Sequence, residues 1–412
     1  MKESSCKPAK ATADKSHDNN NNAMLHTSRY TKRDTEVVSP PALAQMENDY
    51  IDEDEDNYSE ASSSMAPNGS VVSTVPDKHG FLGGAQYLHE SKHLISPNTT
   101  KKREQKWLNM TANWDRYMAK NFKKVQNRCR KGIPQSIRPR AWLYLTKANK
   151  LLQNNEHYYY ELCDRTGDRI WIEDIRKDLH RQFPYHEMFV NQDGTGQKEL
   201  FNVLKAYTIL KPDVGYCQAQ APIAAFLLMH LPAEQAFWCF VAICDDYLSN
   251  YYCPGMETLI QDGNILFSLL KEREPHIYKL LRKQSIDPIM YMTEWFLCAF
   301  TRTLPWPTLL RFWDVFLFDG VKTLFKMGLI LIKISLREKS YTSLKKRFPT
   351  MCETLEALRN PPVDLLEEER IIKKLIQMEI PEDTFKYYHK QQETLLRRKT
   401  KEIQRPRETD VF

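Results

Sequence analysis

The chain has 412 residues, of which 42% are hydrophobic and 27% charged, so its length suits two or three average globular domains or one large helical domain with tails. Its net charge of +6 is mildly basic, and the basic residues do not gather into long patches. This pattern argues against nucleic-acid binding and allows only a modest attraction to acidic membrane surfaces or acidic partners.

The first hundred residues are predicted to be a disordered tail. They are rich in Asn, Ser, Asp, Lys and Pro, and they include the acidic run ENDYIDEDEDNYSEASSS. Such a segment cannot bury enough apolar surface to offset the entropy that it loses on ordering. We therefore expect disorder over residues 1–100, and no secretory signal, because the opening MKESSCKPAK is not followed by an apolar core.

From Trp107 onward, apolar and polar residues alternate at helical spacing, and the alternating β-branched runs typical of strands are scarce. We predict an all-α fold with a helical lead-in at 101–129, a multi-helical domain at 130–345, a helical extension at 346–391 and a basic flexible tail at 392–412. The longest apolar stretches, APIAAFLLMHLP and FKMGLILIKISL, are too short or too interrupted to span a bilayer, so we expect buried helices there.

The nine cysteines form no C-x-x-C pair, and their number is odd. Cys217, Cys239, Cys244 and Cys298 lie in apolar segments, which is typical of reduced, buried thiols in a cytosolic protein. A structural zinc site is not expected.

The stretch IWIEDIRKDLHRQFP places Arg181 near the end of a predicted helix. Ile175, Asp178 and Arg181 recur at intervals that keep all three side chains in one broad stripe. Pro184 disfavours helical geometry in the residue before it, so the helix should end one or two residues earlier. We therefore expect Arg181 in the last turn beside a loop, either reaching a partner or simply solvated.

A second short motif follows in LKPDVGYCQAQAPIAAFLLMH. Pro212, Asp213 and Gly215 predict a turn, after which Tyr216 and Gln218 lead into a strongly apolar helix. Because such a helix is buried while its entrance is not, Gln218 is expected to be a polar amide held at the rim of a rigid element.

An arginine and a glutamine together suit the hydrolysis of a nucleotide γ-phosphate. A guanidinium places positive charge and a rigid fork of donors against phosphate oxygens, and an amide can hold the attacking water. The sequence contains no G-x-x-x-x-G-K-[ST] phosphate loop. If Arg181 and Gln218 perform this chemistry, the nucleotide must therefore arrive on another protein.

Three motifs, in order, resemble those of the TBC-domain Rab GTPase-activating proteins. They are GIPQSIRPRAW with Arg138, an I-x-x-D-x-x-R pattern that ends at Arg181, and a Y-x-Q pattern at Tyr216 and Gln218. The later segment MYMTEWFLCAFTRTLPWPTLLRFWDVFLFDG is also similar to the helical core of this family. The resemblance spans roughly residues 130–345.

The resemblance implies an all-helical domain that acts on a GTP-bound Rab through two residues inserted in trans. Arg181 would be the arginine finger, and Gln218 would stand in for the catalytic glutamine of the Rab. Asp178 would orient the arginine, with Ile175 and Tyr216 as further supporting residues of the motifs. GTP and Mg²⁺ would be carried by the Rab, so no cofactor of its own is expected. A cytoplasmic protein of membrane traffic, recruited peripherally to membranes, is implied.

The chain departs from the common family pattern after the Y-x-Q glutamine. Most members resemble GYVQGMN, whereas this chain has GYCQAQAP, so Ala219 replaces a glycine and Gln220 adds a second amide. This change resembles the branch whose members bind the ezrin-associated scaffold of microvilli.

Two other functions are compatible with the sequence. The first is a catalytically silent protein that binds Rabs or scaffolds on the same fold. The second is a cysteine hydrolase using Cys217 and His180, for which the thiol would need a base within hydrogen-bond reach. A thiol in an apolar helix entrance has no obvious means of losing its proton, which disfavours the second.

Several residues of the predicted domain are expected to be structural. Arg138 could bind phosphate or a partner carboxylate, but we expect it instead to brace the domain through a buried or half-buried ion pair, with Asp178 as one candidate partner, because charges inside a helical core need partners. Trp142 is expected in the core, and Asp314 as a hydrogen-bonded structural carboxylate. Packing is also predicted for an aromatic group at helical spacing: Trp295, Phe296, Trp306, Phe312, Trp313 and Phe316.

The C-terminal residues suggest two contacts. The final ETDVF, at residues 408–412, loosely matches the free carboxyl ends that PDZ-type scaffolds capture. The basic run LLRRKTKEIQRPR, at residues 395–407, could touch acidic lipids or form a solvated helix end.

Overall fold

The computed structural model describes residues 75–82 and 95–403. In this part of the chain nineteen α-helices follow one another, with a π-helical segment at Ile243–Tyr247 and a 3₁₀ turn at Val363–Leu365. The helices are α1 (Pro97–Ala112), α2 (Trp114–Lys120), α3 (Phe122–Arg130), α4 (Arg138–Leu145), α5 (Ala148–Asn154), α6 (Tyr158–Asp164), α7 (Arg169–Leu179), α8 (Thr195–Leu210), α9 (Gln220–Leu228), α10 (Ala233–Ala242), α11 (Glu257–Arg273), α12 (Pro275–Lys283), α13 (Ile289–Leu297), α14 (Trp306–Asp319), α15 (Lys322–Ser335), α16 (Tyr341–Arg347), α17 (Met351–Arg359), α18 (Glu368–Gln377) and α19 (Glu382–Ile403).

The fold is all-α, as the sequence predicts. In residues 75–82 and 95–403, extended backbone pairs only as isolated bridges, which join Pro76 to Leu82 and Phe81 to His186. Helix starts follow local chemistry: Ser96 and Asp168 accept backbone N–H groups at the starts of α1 and α7.

The core is built around strongly apolar helices. All nine residues of α9 are buried, and α15 is buried over most of its length, so both apolar stretches of the sequence form interior helices. The predicted packing of the aromatic group is confirmed, since every member is at most 2% exposed: Trp295, Phe296, Trp306, Phe312, Trp313 and Phe316. Trp142 is likewise fully buried.

Three consecutive helices determine where the Arg181 and Gln218 segments lie. Helix α7 packs on α8, α8 packs on α9, and α9 also touches α7. The loop that leaves α7 and the turn that enters α9 are therefore neighbours, although Arg181 and Gln218 are 37 positions apart in the chain.

The predicted segment boundaries differ from the structure at both ends. Residues 75–82 fall inside the range predicted to be disordered, yet they form an ordered turn in which Phe81 is 1% exposed. Helix α1 begins at Pro97, before the predicted lead-in, because Ser96 caps it and proline suits a first helical position. Helix α19 continues beyond 391 to Ile403, since the segment is rich in Glu, Gln, Leu, Lys and Arg and contains no proline.

Other sequence predictions concern thiols, membranes and the C-terminus. None of the eight described cysteines forms a disulfide, and burial raises the pKa of Cys239, Cys244 and Cys298. Cys217, which was predicted to be buried with them, is only half-buried. None of the described helices combines the length and the apolar character needed to cross a bilayer. The predicted scaffold-binding sequence at 408–412 lies outside the described residues, as does most of the predicted N-terminal tail.

Candidate functional site

Arg181 lies just beyond the end of α7. The helix ends at Leu179, so the prediction that Arg181 occupies its last turn is wrong by two residues. The buried Gln182 side chain donates from Nε2 to the Asp178 carbonyl oxygen at 3.0 Å. It takes the place of the Gln182 backbone N–H, which would bond to this oxygen in a continuing helix and donates to the Leu179 carbonyl instead. Phe183 then takes a left-handed φ of +46°, which turns the chain away from the helix axis. We call residues 180–194 the arginine loop.

Asp178 anchors this loop from the last turn of α7. Its side chain is buried, and Oδ1 accepts a hydrogen bond from the Arg181 guanidinium. The Arg181 side chain remains 42% exposed, so one edge of the guanidinium is paired while the rest faces outward. An arginine has five N–H donors. The arrangement therefore fixes the direction of the cation and leaves donors for a partner.

The Gln218 segment, residues 211–219, forms the turn that the sequence predicts, and we call it the glutamine turn. Gly215 has a φ of +69°, and a Cβ there would lie 2.4 Å from Trp171 Cζ2, so only glycine fits without displacement. Gln218 follows in the exposed turn that enters the buried helix α9. This confirms the expected contrast between a buried helix and an accessible entrance.

Helix α7 presents one face to the glutamine turn. Trp171, Ile175 and Asp178 are spaced at intervals of four and three residues, which places them on the same side of the helix. Trp171 packs on Gly215, Ile175 is fully buried, and Asp178 reaches Tyr216. Ile175 therefore helps to hold this face rather than meeting a ligand.

Tyr216 connects the two segments. Its hydroxyl donates to Asp178 Oδ2 at 2.6 Å, while the other oxygen of that carboxylate accepts from Arg181. Burial and the bond to Asp178 raise the pKa of Tyr216, so the phenol stays protonated and remains a donor. One buried carboxylate thus joins the arginine loop to the residue two positions before Gln218.

The unusual residues after Gln218 have structural explanations. Ala219 has φ −66° and ψ −13°, an ordinary right-handed conformation that does not require glycine. Gln220 is completely buried, and its Oε1 accepts from the Cys217 backbone N–H at 3.1 Å. The second amide therefore braces the turn and is not presented to a partner.

Arg138 does not pair with Asp178, which corrects the partner considered from the sequence. It donates from Nε and Nη2 to the two oxygens of Asp314, at 3.0 and 3.2 Å. Asp314 also accepts from Trp142 Nε1 and from the Ile133 backbone N–H, so it is the predicted structural carboxylate. Arg138 belongs to a buried core network, whereas Asp178 accepts hydrogen bonds from the arginine loop and the glutamine turn.

Sequence reasoning missed how the aromatic core supports the arginine loop. The Phe183 ring, in the arginine loop, and the Phe226 ring, in α9, both pack edge-on against Trp306, at 6.1 and 5.3 Å between centroids. The sequence predicted only that Trp306 would pack in the helical core. Phe81 also packs against the Trp306 indole, at 4.9 Å between ring centroids. In the sequence, Phe81 was marked only by its place directly after the turn-forming DKHG in a polar segment.

Comparison with known proteins shows which family the chain resembles. Residues 135–339 match the Rab-GTPase-TBC domain. The chain is 51% identical over 323 residues to TBC1 domain family member whacked of Drosophila melanogaster, covering 78% of this chain and 88% of that protein. It is 47% identical over 327 residues to human TBC1 domain family member 10B, covering 79% of this chain but only 40% of that longer protein.

Further similarities extend to another relative and to solved structures. Mouse Carabin is 45% identical over 325 residues, which cover 78% of this chain and 71% of Carabin. Among solved structures, the Chlamydomonas flagellar RabGAP TBC domain superposes with a TM-score of 0.56 at 25% identity, covering 74% of this chain and all of that domain. The similarity in sequence, fold and motif order leads to one conclusion: the chain belongs to the Rab-GTPase-TBC domain family.

Proposed function

We propose that this protein is a GTPase-activating protein for Rab-family GTPases, and that Arg181 and Gln218 enter the Rab active site in trans. Membership of the family supports Rab GTPase activation in general. The single observation that supports the two-residue mechanism is the Asp178 carboxylate, which accepts from Arg181 with one oxygen and from Tyr216 with the other. A group that orients both segments suits a reaction that depends on positioning.

In the proposed mechanism the Rab carries GTP and Mg²⁺, and this chain supplies charge and orientation. Arg181 donates to phosphate oxygens as negative charge develops on them during transfer to water. Gln218 accepts a hydrogen bond from the attacking water through its side-chain carbonyl oxygen and donates one through its NH₂ group. The amide thereby holds the water in line for attack on the phosphate. Neither residue takes the proton as a general base. An arginine supplied in trans accelerates small GTPases by about 10³–10⁵.

The rival function is a silent Rab-binding protein on the same fold. GTP hydrolysis by a panel of purified, GTP-loaded Rabs separates the two. We expect one or a few Rabs to respond to the wild-type protein and not to Arg181→Lys. The matched control is Arg169→Lys, the same substitution on a 91%-exposed side chain at the other end of α7. Rabs that bind without any acceleration would favour the rival.

We also propose that the protein works in the cytoplasm and reaches membranes peripherally, where its GTP-bound Rab substrate resides. This follows from the proposed substrate. Fractionation of cells with and without the responding Rab tests it, since recruitment should depend on that Rab.

A further inference from the structure

Residues 75–82 lie outside the region that matches the family, and they form a compact turn that we call the N-terminal clasp. Asp77 organises it: Oδ1 accepts from the backbone N–H groups of His79 and Phe81, at 2.7 and 3.0 Å. The Asp77 N–H donates to the Phe81 carbonyl at 2.8 Å, and Gly80 takes a φ of +89°. The clasp therefore has a defined shape of its own.

The clasp is hydrogen-bonded to the middle of the arginine loop. The Leu82 N–H donates to the Tyr185 carbonyl at 2.8 Å, and the Glu187 N–H donates to the Gly80 carbonyl at 2.7 Å. Between these bonds, His186 Nε2 lies 2.9 Å from the His79 carbonyl oxygen. Because His186 Nδ1 accepts from the Met188 N–H at 3.1 Å, the ring is a neutral tautomer that donates from Nε2.

Phe81 adds an apolar anchor to these bonds. It is 1% exposed, and its ring packs edge-on against both His186 and Trp306, each at 4.9 Å between centroids. The ring of Phe183, two residues after Arg181, also packs against Trp306. Phe81 and the arginine loop therefore share one indole as their support.

The arginine loop is thus held at three places. Asp178 and Gln182 fix its start. At its far end the buried Gln197 donates to the Phe189 carbonyl at 2.9 Å. The clasp fixes the stretch between these ends, through Tyr185, His186 and Glu187.

We propose that the N-terminal clasp is a positioning element for Arg181, which sets the conformation of the arginine loop and thereby the rate of Rab-stimulated hydrolysis. This inference rests on the proposed function and extends it to residues outside 135–339. Phe81 touches neither Rab nor nucleotide in this account. It acts through the loop that carries Arg181.

The test uses full-length protein and two measurements on each variant. Hydrogen exchange by mass spectrometry reports protection of the loop amides, and initial rates of hydrolysis over a range of concentrations of the responding GTP-loaded Rab give kcat and KM. Phe81→Ala should increase exchange at 185–188 and lower kcat by about tenfold to a hundredfold, because misplacing a reacting group by about 1 Å costs this much. KM should change by less than about threefold, and Phe81→Leu, which keeps most of the apolar volume, should restore much of kcat.

Two further variants guard against a merely structural effect. Gly80→Ala should disrupt the clasp without removing any apolar side chain from the core. The added Cβ would lie 2.6 Å from His186 Nε2 and 2.9 Å from Glu187 Oε1. This variant should therefore show the same changes in exchange and kcat as Phe81→Ala. Phe385→Ala removes a comparable edge-on contact, 4.9 Å from Phe325, on a helix that packs on α11. It should lower thermal stability and leave kcat unchanged.

The outcomes separate this inference from the proposed function. An active wild-type protein whose kcat survives both Phe81→Ala and Gly80→Ala overturns the clasp proposal alone. Loss of kcat in Phe385→Ala to the same degree as in Phe81→Ala also overturns it. A wild-type protein that accelerates no Rab overturns the proposed function itself, and the catalytic role of the clasp with it.

Discussion

The Tyr216 hydroxyl lies 2.6 Å from Asp178 Oδ2, on the carboxylate whose other oxygen accepts from Arg181. The two segments that carry the motif residues are therefore connected through one buried group. Because Asp178 is buried, each of its hydrogen bonds is stronger than it would be in water, and leaving either donor unpaired is costly.

Replacing this carboxylate tests the connection. In Asp178→Asn the amide oxygen can still accept from Tyr216, but the charge that holds the guanidinium is lost. We expect kcat for Rab-stimulated hydrolysis to fall by about tenfold to a hundredfold while Rab binding persists, because orientation is lost and contact is not. Single-turnover kinetics and a binding titration measure the two. Asp174→Asn, which removes an exposed carboxylate paired with Lys177 on the same helix, is the control. Unchanged kcat in Asp178→Asn would refute the orienting role.

Arg138 should matter for stability and not for catalysis. Arg138→Ala leaves the completely buried Asp314 without its charge partner, which typically costs about 3–5 kcal/mol in the free energy of unfolding. Denaturant unfolding measures this loss. The exposed Arg140, on the same helix, provides Arg140→Ala, which should stay within about 0.5 kcal/mol of wild type. A large drop in kcat for folded Arg138→Ala would contradict the assignment.

His230 predicts how stability depends on pH. Burial, together with the positive charge of nearby Arg138, lowers the pKa of His230 to about 3. The residue as a whole is half-buried, but its Nε2 atom is inaccessible to solvent. Between this value and the ordinary one near 6.5, the unfolded chain binds a proton that the folded chain does not. The free energy of unfolding should therefore fall as pH decreases from about 7 towards 4, by an amount on the order of a few kcal/mol.

His230→Phe should flatten this pH dependence. Phenylalanine can occupy the site, because the imidazole packs against Trp142, Phe226 and Trp306. Chemical denaturation at a series of pH values gives the slope, with His180→Gln, at an exposed histidine, as the control. Equal slopes in wild type and His230→Phe would show that other groups govern the acid sensitivity.

Restoring the common family glycine after Gln218 should leave activity unchanged. Ala219 already has a right-handed backbone conformation, so Ala219→Gly relieves no strain. It only adds freedom to the unfolded chain, which should lower the free energy of unfolding by about 0.4–1 kcal/mol. Thermal unfolding and the hydrolysis assay check both parts. A marked gain in kcat would mean that Ala219 distorts the Gln218 turn.

Local patterns predicted the features that depend on neighbouring residues. The unbroken apolar run of α9 indicated an interior helix, and Gly215 indicated a turn that leaves Gln218 at the rim. The end of α7 was misplaced because the prediction relied on Pro184, whereas the side chain of Gln182 caps the helix earlier. A side-chain cap of this kind competes with the helix through a contact that spacing alone does not reveal.

Contacts between distant parts of the chain were the harder ones to anticipate. Arg138 and Asp314 are 176 positions apart, and a basic residue in a helical core has many candidate partners before the fold is known. Phe81 lies in a polar segment whose composition favours disorder, and its partners His186 and Trp306 are more than a hundred residues away. The buried Phe81 ring and the hydrogen bonds of the clasp order this segment without changing its average composition.

The most direct test of the central claim uses the responding Rab with its own catalytic glutamine replaced by alanine. If Gln218 supplies the missing amide, wild-type protein should still accelerate GTP hydrolysis by this Rab, and both Gln218→Ala and Arg181→Lys should fail to do so while still binding it. A modified Rab that no longer responds to the wild-type protein, or that responds equally to Gln218→Ala, would contradict the account.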